Sequence, residues 1–133
     1  MSSFGDGPSI PKKAEAPKKP SYAQDVARIL NNHCVECHRP GEVGPFSLET
    51  YADAKKWSQM IRLTTETKRM PPWKAKANYG EFKHENRLSE EDIAILKSWV
   101  ESGAPAGDLK KAPPKKVFTG GEWSLGKPDL ILK

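Results

Sequence analysis

A chain of 133 residues has room for one compact domain, not two. With 36% hydrophobic and 29% charged residues its core is lean, and so small a domain gains from a staple, a metal or a cofactor. The net charge of +5 sits in the flanks: residues 21–109 carry a net of −1 and the remainder a net of +6, with no aromatic-interleaved arginine, which argues against a nucleic-acid surface.

In chain order, residues 1–7, MSSFGDG, lack the charged and apolar regions of a signal peptide, and no apolar run anywhere reaches transmembrane length. The chain therefore reads as soluble, and as an excised or processed piece. Residues 8–20, PSIPKKAEAPKKP, form a Pro/Lys tract expected to be extended and solvated. Ser21 with Gln24 three residues on has the form of a capping box, and Tyr22, Val26, Ile29 or Leu30, and His33 follow at helical spacing. That helix runs directly into Cys34.

The stretch NHCVECH, residues 32–38, holds both cysteines of the chain. Cys-x-x-Cys-His is the attachment signature of c-type haem. Each thiol adds across one vinyl group, so Cys34 and Cys37 become thioethers, and His38 beside the second anchor is aimed at the iron. One porphyrin then supplies the apolar filling that a lean core lacks. Other chemistries fit less well. A thioredoxin-like redox pair wants a strand before the motif, where a capped helix stands. Zinc needs a fourth ligand, for which His33 and His84 are isolated candidates. A disulfide across two residues closes a strained small loop.

RPGEVGPF, residues 39–46, is long for a helix connection, and such loops usually wrap something. TYADAKKWSQMIRL, residues 50–63, predicts one helix with Tyr51, Ala54, Trp57 and Ile61 on a face, ending before Pro71. Met70 then opens MPPW. Two prolines lock the backbone just after it, which suits a loop methionine held as the second axial ligand opposite His38. Met60, within the helix beside Ile61, is expected to pack in the core, and His84 in the polar run KHENR is the rival ligand. Phe46, Trp57, Trp73, Tyr79 and Phe82 are candidate pocket walls, of which Phe46 and Trp73 flank the ligand-bearing loops. Lys68, Arg69, Lys74 and Lys76 surround Met70 as a basic rim suited to an acidic redox partner, or as a solvated loop.

Ser89 with Asp92 caps a third helix, SEEDIAILKSWVESG, with Ile93, Leu96, Trp99 and Val100 as its stripe and Gly103 and Pro105 as its stop. Residues 104–116 form a second Pro/Lys tract, expected to be a solvated linker. The last residues, VFTGGEWSLGKPDLILK, carry a strand-like DLIL run that either folds back or begins a following domain. No acid, base or nucleophile stands beside the haem motif, so the domain does not read as an enzyme.

A helix leading into CVECH, a later MPPW loop and LSEEDIAILKSWVESGAP together resemble a class I-type cytochrome c, over roughly residues 21–107. The wider pattern, CHRPGEVGPFSLETYADA, RMPPW and WSLGKPDLIL, is similar to cytochrome c modules of large bacterial multidomain proteins. There such a module often lies between a redoxin-like and a copper-monooxygenase-like domain. The resemblance implies a small all-α fold wrapped around one covalently attached haem c, with extended flanks. It implies a crossing of the first and last helices, here Val26 and Leu30 against Leu96, Trp99 and Val100.

The expected organisation is a flexible segment 1–20, a haem domain 21–107, and a linker with C-terminal extension 108–133. The expected function is single-electron transfer through iron bound by His38 and Met70, with Cys34, Cys37, Phe46 and Trp73 completing the haem site. An open distal site that binds peroxide, O2, CO or NO is the alternative, and a colourless zinc module the third. The expected partner is a redox protein or a neighbouring domain. Thioether attachment normally follows export, which places the parent protein in the periplasm or beyond.

Overall fold

The computed structural model describes residues 19–73, 79–83, 85–118 and 129–130. These are helical, and no strand occurs among the described residues. The first helix, α1, begins as a π-helical turn over Tyr22–Val26 and continues as α-helix over Ala27–His33. Its cap differs from the predicted box. Ser21 Oγ accepts from the Gln24 amide at 3.2 Å as expected, but the reciprocal acceptor for the Ser21 amide is Asp25 Oδ2 at 2.9 Å. The cause is the wide first turn, in which the Asp25 and Val26 amides both donate to the Ser21 carbonyl, so the residue four on returns over the cap.

The next two amides of α1 find acceptors outside the helix, Tyr22 N on Pro105 O at 2.9 Å and Ala23 N on Ala106 O at 3.0 Å. A distant chain segment thus satisfies donors that every helix start leaves open.

The single helix predicted over residues 50–63 is two. α2 spans Tyr51–Lys56 and α3 spans Ser58–Glu66, with Trp57 between them at φ −99°, ψ 11°. Ala54 and Ile61 are buried as the spacing requires. Trp57 leaves the helical path and its indole lies stacked on the Phe46 ring, centroids 4.2 Å apart. A contact distant in sequence has overridden local periodicity.

The last long helix, α4, spans Glu90–Glu101, with Ser89 Oγ accepting from the Asp92 amide at 3.0 Å and three acids in its first turn facing the positive end of the helix dipole. Ile95, Leu96, Trp99 and Val100 are buried; Ile93 is only partly so, because the core takes Ile95 as well. α4 packs on α3 and crosses the π-helical half of α1. At that crossing Tyr22 meets Tyr51 at 5.3 Å and Trp99 at 6.5 Å between centroids. Ile29, Leu30, Leu96 and Trp99 are fully buried in the same core, each aliphatic side chain contributing roughly 1.5–3 kcal/mol.

The second Pro/Lys tract is exposed, yet it is tied to the domain. After a 3₁₀ turn over Leu109–Lys111, Asn31 Nδ2 donates to Pro114 O at 3.3 Å, Lys115 Nζ lies 3.8 Å from Glu49, and the Arg39 guanidinium sits 3.9 Å above the Phe118 ring. Phe118 is an apolar anchor that composition alone hides. Residues 1–18 and, apart from Asp129 and Leu130, the terminal WSLGKPDLIL lie outside the described residues. No helix of the described residues is long and apolar enough to cross a membrane.

Candidate functional site

Cys34 occupies the C-cap of α1, its amide and that of Val35 both donating to Leu30 O at 2.9 Å. The next turn is tight, with the Cys37 and His38 amides both donating to Cys34 O, at 3.2 and 3.0 Å. Both thiols are free. Burial, and secondarily the neighbouring Cys37, push the Cys34 thiol up to about 12, so its sulfur sits where a neutral species is favoured. Among the described residues no group of three or more His, Cys, Asp or Glu side chains could hold a metal ion.

The loop that follows folds back over His38. Gly44 N donates to Cys37 O at 2.8 Å and Leu48 N donates to His38 O at 2.9 Å, closing the loop on either side of the imidazole. Arg39 and Glu42 pair at 2.9 Å across its outer turn. Position 44 admits only glycine, because a Cβ would lie 2.5 Å from Cys37 O and 2.7 Å from His38 Nδ1. Within this cradle His38 Nδ1 lies 3.1 Å from Phe46 O. A carbonyl can only accept, so Nδ1 is the donor, and in the neutral ring Nε2 is then the nitrogen available to a metal. The Phe46 ring lies against the imidazole, centroids 4.6 Å apart, and Trp57 stacks behind Phe46. Of the candidate walls, Phe46 therefore touches the predicted ligand and Trp57 forms a second layer.

His33 is occupied elsewhere. Its Nδ1 lies 2.7 Å from Asn86 Oδ1, and Asn86 Nδ2 donates to His33 O at 3.4 Å, so it fastens the segment before α4 to the end of α1. His84, the rival distal ligand, lies outside the described residues, as do Lys74 and Lys76.

Met70 stands just beyond α3. The chain leaves that helix through Lys68 at φ 57°, and Thr64 O then accepts from both the Arg69 and Met70 amides, at 2.9 and 3.1 Å. Three residues on, Trp73 N donates to Pro71 O at 2.8 Å and the indole packs edge-on to Phe82 at 5.9 Å. Trp73 Nε1 is buried with no hydrogen-bond partner among the described residues. An orphaned buried donor is costly and calls for an acceptor. Of the predicted basic rim, Lys68 is paired with Glu90 at 2.7 Å.

Met60 does not pack as expected. It is 47% exposed, against 42% for Met70, because Ser58, Ile61 and Thr65 take the side of α3 that meets the core. Met60, Leu63, Thr64 and Thr67 instead line an uncharged outer face. The Thr64 and Thr67 hydroxyls are turned inward, donating to Met60 O at 2.8 Å and Leu63 O at 2.7 Å. Leu63 had no place in the sequence reading, although the spacing 60, 63, 64, 67 was there to find.

The predicted site residues thus fall into two groups. Cys34, Cys37, His38 and Phe46 form one continuous unit; Met70 and Trp73 form another. Among the described residues no hydrogen bond or ring contact joins the two.

Comparison with known proteins gives one family. The model described as cytochrome C oxidase, cbb3-type, subunit III matches residues 21–100, more than half of the chain. No curated protein and no solved structure matches significantly.

Proposed function

The chain belongs to that family, a class I-type cytochrome c module whose work is haem-based electron transfer, and from this premise we propose a mono-haem carrier with iron held between His38 and Met70. The observation that carries the reading is the His38 cradle, with Nδ1 engaged by Phe46 O and Nε2 without a hydrogen bond among the described residues, directly after two unpaired cysteines. Family membership implies a covalently bound haem c, and the residues present fit that group. Cys34 and Cys37 would hold it as thioethers, His38 would bind through Nε2, and Phe46 would wall the proximal side. The orphaned Trp73 Nε1 would donate to one of its carboxylates.

Haem iron, when bound, supplies a reversible ferric/ferrous couple. The chain's own residues set its conditions. The Phe46 carbonyl fixes the imidazole's orientation and makes Nε2 a stronger donor. Met70 offers a soft thioether that favours the reduced state relative to a second imidazole. The uncharged face of α3, Met60 and Leu63 with Thr64 and Thr67, would suit a wall that excludes water on the distal side. We further read residues 21–107 as the haem domain, with 1–20 and 108–133 as flanks. The parent protein is exported, since thioether attachment takes place outside the cytoplasm. Its partner is a redox protein or a neighbouring domain.

The test is expression with haem-maturation machinery and absorption spectra of wild type and Met70→Ala. A low-spin c-type spectrum with the weak near-infrared band of methionine on ferric iron is expected, and the substitution should abolish that band. Persistence of the band would transfer the role to Met60, whose thioether is as exposed as that of Met70. A wild type that is high-spin and binds CO when ferrous would favour an open distal site and small-ligand chemistry.

A further inference from the structure

We propose that Trp57 is the port through which electrons pass between this domain and its partner, and that the partner is a one-electron protein presenting an acidic face there. The inference rests on His38 being the proximal ligand. From that imidazole the Phe46 ring is 4.6 Å away between centroids, and from Phe46 the Trp57 indole is 4.2 Å away and inclined by only 17°. Two ring-to-ring steps therefore connect the ligand to an indole that is only partly buried. The helix is interrupted at this one residue, between α2 and α3, where it could have run on. Plain core packing accounts for an aromatic pair, but not for what surrounds its outer member.

Two lysines flank the port. Lys56 Nζ lies 5.5 Å from the Trp57 ring centroid, and Lys55 Nζ lies 5.9 Å from the ring of Tyr51 on the same short helix. Neither makes an ion pair among the described residues, whereas Arg28, Arg39, Arg62, Lys68, Lys97 and Lys115 all do. Asp53, the acid of that helix, acts on Tyr22: burial first and Asp53 second raise the tyrosine's pKa. Uncompensated positive charge around a partly exposed tryptophan suits an acidic docking face, since charge complementarity steers encounter and an aromatic anchor fixes the contact. With haem bound, ferrous iron would give up one electron, becoming ferric, and the partner's oxidised one-electron centre would take it up. No proton moves and no bond is made; the rings serve as a tunnelling bridge and are not themselves oxidised.

The test uses the haem-loaded domain, reduced and mixed in stopped flow with hexacyanoferrate(III), an anionic one-electron oxidant. Lys56→Glu should slow oxidation several-fold at low ionic strength, with the difference fading at high salt. Lys83→Glu, the same charge change on the loop beyond Met70, should have a smaller effect. Trp57→Leu should slow the reaction while Trp57→Phe restores it, both with the wild-type spectrum and reduction potential. Equal effects of Lys56→Glu and Lys83→Glu would overturn the proposal, as would an unchanged rate in Trp57→Leu. Lys56→Glu leaves the stack intact and decides the matter even if Trp57→Leu perturbs the fold. Failure of the ligand reading is distinguishable, because it would already be visible in the wild-type spectrum.

Discussion

Helix α3 releases the chain at Lys68, φ 57°, and α4 releases it at Gly103, φ 92°. The hydrogen bonds at the two ends are the same. At α3 the Lys68 amide donates to Thr65 O and the Arg69 amide to Thr64 O; at α4 the Gly103 amide donates to Val100 O and the Ala104 amide to Trp99 O. Both are Schellman ends, in which a left-handed residue turns two amides back onto the last open carbonyls. They differ in what holds them. The α4 end is clamped by side chains of the core, Trp99 fully buried and Tyr51 partly so: Trp99 Nε1 donates to Pro105 O at 3.0 Å and the Tyr51 hydroxyl donates to Ala104 O at 2.7 Å. The α3 end is exposed, and its outer support is an ion pair of two largely exposed groups, Lys68 and Glu90. One end completes the core and caps α1. The other delivers Met70. The same backbone device is clamped by side chains of the core where it serves the fold, and left exposed where it serves the proposed ligand loop; each end holds one left-handed residue that carries a side chain, Lys68 at the one and Ala104, φ 53°, at the other.

Three substitutions sharpen that contrast, each read by urea unfolding of the haem-loaded domain. Trp99→Ala is the largest: it removes a fully buried indole and one of the two donors to Pro105 O, and a loss of roughly 3–5 kcal/mol is expected. Next is Gly103→Ala, which forces a Cβ into left-handed backbone and should cost about 1 kcal/mol; nothing lies within 4 Å of that Cβ, so conformation and not collision sets the size. The smallest is Lys68→Gly. It should stabilise by up to about 1 kcal/mol, because the strain relieved exceeds the value of an exposed ion pair. If Lys68→Gly instead destabilises, the Lys68–Glu90 pair is worth more than its exposure suggests and the two ends are held with similar strength.

Much of the fold was legible because its signals are local. Ser21 and Ser89 announced helix starts and Gly103 a helix stop, and the structure has them there. Cys34, Cys37 and His38 could be singled out because covalent chemistry demands that spacing. Lys68 could not be, since its left-handed turn has no glycine to advertise it. Nor could the break at Trp57, where helical periodicity continued unbroken and only the Phe46 ring, eleven residues upstream, supplied a reason to leave it. Met60 was misjudged for a related cause. An apolar residue on a helix states that it prefers burial, but not which of two faces meets the core.

Sequence alone determined the helical class, the helix starts at Ser21 and Ser89 and the family, and it singled out Cys34, Cys37 and His38 as the candidate haem anchors, because each depends on residue type at short spacing. Tertiary structure decided the rest. It chose Phe46 O as the partner of His38, Asn86 as the partner of His33, and residues 105 and 106 as the cap of α1. It also drew the 104–118 tract onto the domain through Pro114 and Phe118. The physical reason is common to all of them: an open donor or a bare ring takes whichever acceptor or face the fold brings near, and nearness across the chain is not written in the residues on either side.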